Sequence, residues 1–484
     1  MDDASTSATV DAPAANRRRT PGVVRGVVFV ALFCSALTSP YLERGTSDHL
    51  DSEALIADPA VIATSTTSTP PATPATAATQ TVPVATSPTV PASTTSPHVG
   101  AGGDWRSALW SEYVVADVGC ATDLSAAGLA AFFAQPLGAI EGFDGPRIYP
   151  LGDGRNLWVL QDTFVDYYGG QTSFAHMDYA NSSALIQDGA CFTSVQRGTP
   201  TDVESFEQGN GDINFDHYFW PAGGTVRDGT LQMFWMEMVR DPKTGGPLDG
   251  IALHPAVTWL ATYDLASLER ISFVPAPNSG VSPVYGYTVV DDGDWSYLFA
   301  NSYQQNLALE GGYANGPHSA TRMYLARVPR GHLDDEPEYW NGSDWSAFAA
   351  EAAPISSRNF TENSMLPSVI NGTWVSATKV DGFTGSTITI DVAADPWGPY
   401  LTALTLPATP RGDPSDIVTY HALVLPWLDP VNGQLVVSLS QIPLALGADD
   451  APAKYRPNFF DVDLSAVAAG ETTTTTDSTA TTAG

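Results

Sequence analysis

The chain is short of cysteine, of charge and of basic residues, and each shortage excludes a class of protein. Three cysteines in 484 residues rule out a disulfide scaffold and a zinc module built on several cysteines. Only 15% of residues are charged, and 53 Asp and Glu outweigh 21 Lys and Arg to leave a net charge of −32. A surface this acidic repels phosphate, so no nucleic-acid partner is expected. His217, His254, His318 and His421 are far apart and lack metal-ligand spacing. There is no Gly-x-Ser-x-Gly elbow and no phosphate loop, which argues against a serine hydrolase and a nucleotide enzyme. Helical periodicity is weak, except over Ala126–Ala134 and Trp345–Ala353. Present in quantity are 42 Gly, 12 Trp and 18 Tyr, the composition of a β-rich, turn-rich protein.

The termini do not read as folded. Arg17, Arg18, Arg19 and Arg25 precede an uncharged apolar run from Gly26 to Leu42, and Glu43, Asp48, Asp51 and Glu53 follow it. That order keeps the N-terminus in the cytoplasm. The run has the length of either a cleaved signal peptide or a short uncleaved anchor. Pro59 to Pro97 carries no charge and is built from Thr, Ser, Ala, Pro and Val. Such a segment cannot bury a core and is expected to be an extended stalk. The expected organisation is a basic segment plus signal or anchor over 1–45, a disordered linker over 46–103, a folded domain over 104–468, and a Thr-rich tail over 469–484. The expected location is secreted or cell-surface, with membrane contact only through an N-terminal anchor. Export makes a Cys120–Cys191 disulfide the expected state of the two cysteines in the folded part, the alternative being two buried thiols.

Five Asp-Gly or Asn-Gly pairs sit between apolar, β-rich runs, the strongest short signal of a hairpin. They are Asp153-Gly154, Asp228-Gly229, Asp292-Gly293, Asn371-Gly372 and Asn432-Gly433, at steps of 75, 64, 79 and 61 residues. Further strand-like pieces lie between them, such as Val257–Tyr263, Arg322–Val328 and Thr387–Val392. Asp188-Gly189 and Asn341-Gly342 read as outer hairpins of the same units. A repeat of about four strands is a propeller blade. The fold expected is therefore all-β, a five-bladed β-propeller, with an irregular β-sandwich assembly as the alternative.

The same turns locate carboxylates. Asp144 and Asp162 lie nearly equally far from the Asp153-Gly154 turn, so they share the open end of one hairpin. Glu362 and Asp381 hold the same relation to Asn371-Gly372. Cross-strand neighbours are ~5–8 Å apart, and two carboxylates at that distance push one pKa up. Opposed carboxylates in a funnel are what glycoside hydrolysis requires. Taken singly, Asp144 and Asp162 also read as turn-stabilising residues, and Glu362 as a solvated loop residue.

The segment from Asp144 to Phe164, Asp-Gly-Pro-Arg-Ile-Tyr-Pro through Gly-Arg-Asn-Leu-Trp to Gln-Asp-Thr-Phe, resembles the first blade of a bacterial five-bladed propeller family, formerly of unknown function. That family includes endo-D-arabinanases, glycoside hydrolases acting on mycobacterial-type arabinan. Glu362-Asn-Ser-Met-Leu-Pro-Ser-Val followed by Gly372-Thr-Trp-Val, and the last blade from Tyr420-His421 through Gly433 to Ser438, resemble it too. The resemblance covers about 140–462. It implies that Asp144, Asp162 and Glu362 are the catalytic carboxylates, with Glu362 as general acid, Asp144 as base, and Asp162 tuning pKa or positioning the sugar. Gln161 stands where members of the family tend to have Gly.

Sugar faces pack on aromatic rings, so Trp220, beside His217 and Tyr218, and Tyr285 are candidate wall residues, although most Trp are expected between blades. His217, Asp381 and His421 complete the candidate substrate contacts, His421 as a hydrogen-bond partner of a carboxylate. No cofactor and no metal ligand set is expected, and a structural cation in the funnel is left open. The function expected is an exported, monomeric glycoside hydrolase acting on a furanosidic, arabinan-type polysaccharide. The alternative is a cell-surface carbohydrate- or protein-binding propeller without catalysis.

Overall fold

A computed structural model describes residues 105–463, apart from 211–216, 241–252, 278, 280–282, 302–319, 360–365, 381–384, 446–447 and 449. Among the described residues, twenty-three strands form five sheets. Blade 1 holds β1 (Tyr113–Cys120), β2 (Ile140–Pro150), β3 (Arg155–Val165), β4 (Asp178–Asp188), β5 (Cys191–Thr199) and β6 (Asp202–Glu204). Blade 2 holds β7 (His217–Arg227), β8 (Thr230–Arg240), β9 (Leu253–Asp264) and β10 (Arg270–Pro275). Blade 3 holds β11 (Thr288–Asp292), β12 (Trp295–Asn301), β13 (Ala320–Pro329), β14 (Glu338–Trp340), β15 (Trp345–Ser346) and β16 (Ser356–Asn359). Blade 4 holds β17 (Pro367–Ile370), β18 (Thr373–Val380), β19 (Thr387–Ala393) and β20 (Leu401–Pro407). Blade 5 holds β21 (Ile417–Leu428), β22 (Leu435–Pro443) and β23 (Asn458–Val462).

Within each blade the strands pair antiparallel, mostly with their chain neighbours; the exceptions are β1, which adds to β5 at the outer edge of blade 1, and β16, which pairs with β13. The inner strands β2, β7, β11, β17 and β21 touch one another in that order, and β21 touches β2. That closure makes a five-bladed propeller. Alternation of side chains along the strands sends apolar residues to both faces of a blade, so each of the five gaps is filled. Tyr149, Val159 and Phe206 meet Phe219 and Trp235 between blades 1 and 2. Tyr218 and Phe234 meet Leu298 and Val328 between blades 2 and 3. Tyr297 and Phe299 meet Trp374 between blades 3 and 4. Val375 and Ile390 meet Val424 and Val437 between blades 4 and 5.

The last gap, between blades 5 and 1, also takes helix α1 (Ala126–Phe133). Ser125 caps it by accepting from the Gly128 amide at 3.0 Å, and Phe133 stacks on Trp158 at 5.4 Å. Trp158, Trp235 and Trp374 are all fully buried in such gaps, as their strand positions led us to expect. Cys120 and Cys191 face each other across β1 and β5 and form a disulfide.

The five hairpin turns differ in geometry, and one sequence expectation is corrected. Only Asp228-Gly229 and Asn371-Gly372 have positive φ at both residues, at +49° and +77° and at +51° and +77°. At the other three turns only the glycine does, because the loop is longer or shifted by a residue. Trp345–Ala353 is not a helix. Trp345 pairs with Trp340 in β15, and only Ala349–Glu351 forms a 3-10 turn. Aromatic cross-strand packing there overrides the helical propensity of the alanines. Among the described residues no helix is long and apolar enough to cross a membrane. The apolar run at 26–42, the stalk and the tail lie outside the described residues.

Candidate active site

The N-terminal ends of the inner strands and the C-terminal ends of the strands beside them share one end of the propeller. Asp144 on β2 and Asp162 on β3 both lie there. The hairpin near the turn runs in even register, Ile148 opposite Trp158, but β2 is irregular between Ile140 and Arg147. Asp144 is consequently paired with Gln161, and Asp162 sits one position beyond it. Gly145 has φ +47°, and a Cβ there would collide with the Gln161 amide. Its N–H donates to Ser440 Oγ of blade 5 at 3.1 Å, which fixes the bulge to the neighbouring blade.

Among the described residues, five non-glycine residues have left-handed backbone: Asp228 and Asn371 in hairpin turns, Leu268, and the two site residues Asp162 at +27° and His421 at +51°. Strain of this kind persists only where the surroundings hold it, and it gathers at functional sites.

Both carboxyls are buried, Asp144 at 7% exposure and Asp162 at 3%. Each is met by hydroxyls. Tyr420 donates to Asp144 Oδ2 at 2.5 Å. Asp144 Oδ1 has no partner at hydrogen-bond geometry, although the Tyr455 hydroxyl lies close enough to lower the pKa. Asp162 Oδ1 accepts from Tyr179 Oη at 2.6 Å and from Trp220 Nε1 at 3.0 Å. Asn181 Nδ2 donates in turn to Tyr179 Oη at 3.3 Å.

Burial pushes Asp144 up to about 6, against the opposing pull of Tyr420 and Tyr455. Burial also raises Asp162 well above the usual carboxylate range, and the charge of Asp144 raises it further. Burial, and after it the charge of the same two carboxyls, holds the Tyr179, Tyr420 and Tyr455 hydroxyls well above the ordinary tyrosine range. Those hydroxyls are therefore protonated donors. One buried pair thus offers a carboxyl that ionises near neutrality and another that keeps its proton longer.

The other sequence candidates are placed differently. Trp220 joins the pair through its indole N–H and packs edge-on to Tyr218 at 5.6 Å. His217 is three residues away on β7, so it takes the opposite face. There its Nε2 bonds Glu237 at 2.7 Å, and Glu237 also accepts from Trp259 at 2.7 Å. Tyr285 is 1% exposed and packs edge-on to Tyr339 at 5.0 Å. It fills the gap between blades 2 and 3, because the turn before β11 directs it into that core. His421, next to Tyr420, is buried, and burial and the Arg147 charge hold its imidazole well below its ordinary range. Glu362 and Asp381 lie outside the described residues.

Tyr179, Tyr420, Tyr455 and Arg147 were not singled out by sequence. Tyr420 and Arg147 stand inside the family-like motifs. Tyr455 follows the short helix Ala451–Lys454, where no local pattern marks it. Among the described residues, His332, Asp334 and Asp335 lie close enough to share an ion. They are half-buried to exposed, and His332 Nδ1 faces the Arg227 guanidinium at 2.9 Å, a poor setting for a cation.

The model of a family described as "Domain of unknown function (DUF5005)" matches residues 129–464. No curated protein matches the chain significantly. Among solved structures, a candidate hydrolase from Bacteroides ovatus ATCC 8483 superposes with a TM-score of 0.52 at 18% identity, over 76% of this chain and 96% of that one. A xylan β-1,4-xylosidase from Bacillus halodurans C-125 gives 0.39 at 14% identity, over 67% of this chain and 54% of that one. A GH43_1 enzyme from Xanthomonas citri gives 0.36 at 13%, over 71% and 91%. At such identities the first likeness is one of fold.

Proposed function

The chain belongs to the family described as a domain of unknown function, DUF5005, and from that premise we propose that its funnel is the active site of an exported glycoside hydrolase. One observation carries the reading: Asp144 and Asp162 are two buried, hydroxyl-ringed carboxyls at one mouth of the propeller, both with raised pKa. Glycosidic cleavage uses one carboxyl as proton donor and another as base or nucleophile. Asp144, at about 6, is mostly ionised at neutral pH, and its Oδ1 is not engaged by another hydrogen bond. It takes the role of base. Asp162 shapes the titration of Asp144 and orients Tyr179 and Trp220 toward the sugar. Glu362 is the proposed general acid, on the strength of its family-like Glu-x-Ser motif.

The proposed substrate is a furanosidic, arabinan-type polysaccharide, with D-arabinan the first choice, supported by the resemblance of Asp144–Phe164 and of the last blade. Trp220 is the proposed sugar-facing ring. The fold supports the hydrolase class, since a candidate hydrolase shares it. Export is supported by the basic-apolar N-terminus and by the Cys120–Cys191 bond, which persists in oxidising compartments. The chain is proposed to act as a monomer.

The test is a digestion screen of the whole chain on mycobacterial-type arabinogalactan, plant L-arabinan and a panel of other polysaccharides. Oligosaccharides released by the wild type and not by Glu362→Gln support the reading and name the substrate. Folded protein that releases nothing from any polymer overturns it in favour of a binding propeller.

A further inference from the structure

A cationic feature lies below the carboxylates. Arg147 pairs with Val159 where Asp144 pairs with Gln161, so it stands about 7 Å further along the strand. Arg147 is 5% exposed. The guanidinium carbon lies 4.3 Å from the centre of the Tyr287 ring, at the entry to blade 3. From blade 5, the His421 imidazole is close enough to feel its charge. Arg147, Tyr287 and His421 thus converge on the propeller axis from three blades.

Arg147 Nε and Nη2 are buried and have no hydrogen-bond partner, and among the described residues no carboxylate pairs with it. A buried arginine is almost always paired, because an uncompensated charge in the interior is strongly destabilising. The two unpartnered nitrogens are moreover adjacent. They form one edge of the guanidinium, the fork that holds two oxygens of a carboxylate side by side.

We propose that the Arg147 fork, backed by Tyr287, is an anion-binding subsite on the axis, taking a monoanion of carboxylate size. The anion can be a free ion or the acid group of a uronate-bearing glycan. The subsite does not rest on the hydrolase reading, since its occupancy is read without turnover, and failure of every glycan to be cleaved leaves it standing.

The experiment measures Tm of the whole chain with increasing formate, at ionic strength held constant with a bulky sulfonate. A ligand that binds only the native state raises Tm saturably. We expect that rise in the wild type, a smaller one in Arg147→Lys, which keeps charge without the fork, and none in Arg147→Met. Wild-type crystals soaked in bromide, which need no variant, should show an anomalous peak at the fork. Stronger stabilisation by a glucuronate-bearing oligosaccharide than by its methyl ester would assign the anion to the glycan. Equal effects of acid and ester, with formate still active, would assign it to a free ion. No formate dependence in the wild type together with no bromide at Arg147 overturns the proposal. So does an Arg147→Met variant that is more stable than wild type at every formate concentration, which would make Arg147 a bare buried charge.

Discussion

Tyr420→Phe isolates what tunes the site. The hydroxyl donates to Asp144 Oδ2 at 2.5 Å and opposes the burial that raises this carboxyl to about 6. The substitution keeps the ring and removes the donor. A hydrogen bond to a charged group contributes about 1.5–3 kcal/mol, and one pKa unit corresponds to about 1.4 kcal/mol. The Asp144 titration should therefore move up by about 1–2 units, to about 7–8. Asp144 and Asp162 are coupled, so the observable is the titration of the pair. The assay is the carboxyl carbon shift of 13C-labelled aspartate against pH, in wild type and variant, with the acid limb of kcat/KM beside it once a substrate is in hand.

Stability gives an independent sign. The folded pKa of Asp144 lies above the unfolded value of about 3.9, so its protonated form favours the native state. That contribution is complete below about pH 4 and is lost as pH rises through about 6. In Tyr420→Phe the loss should extend to higher pH. A folded variant whose pair titrates as in the wild type would refute the reasoning.

Further outcomes are expected. Trp374→Ala removes a fully buried ring set edge-on to Tyr297 at 5.5 Å and should lower unfolding free energy by about 3–5 kcal/mol in urea. Reducing Cys120–Cys191, which closes a separation of 71 residues, should cost about 2–5 kcal/mol, seen as a lower urea midpoint under reductant. Trp220→Phe keeps an aromatic wall but deletes the 3.0 Å bond to Asp162. It should raise the Asp162 step of the pair's titration, and an unchanged step would show that the bond does not hold the carboxylate.

The blades were legible because a hairpin turn is a local event with its own residues, and five such turns at similar steps mark a repeat. Even so, the turn geometry at Asp153, Asp292 and Asn432 was not legible, since loop length and register shift decide it. The pairing of Asp144 with Asp162 was readable to one residue. The offset comes from irregularities in β2 and from the left-handed backbone of Asp162, neither of which has a sequence signature as strong as Asn-Gly. The hydroxyls that hold the pair were the least legible part. Tyr420 and Tyr455 are hundreds of residues from Asp144 and reach it only because blade 5 closes on blade 1. Tyr285 shows the reverse. It lies in the turn three residues before the inner strand β11, but its side chain enters the gap between blades, and burial direction is a property of tertiary packing.

The central claim is that Asp144 acts on a glycosidic bond, and the direct measurement compares release of reducing ends from arabinan by wild type and Asp144→Asn. The account predicts turnover by the wild type and a loss of about 100- to 10,000-fold in the variant, with the same β-sheet spectrum and a cooperative unfolding transition. Equal turnover by a folded Asp144→Asn would contradict it.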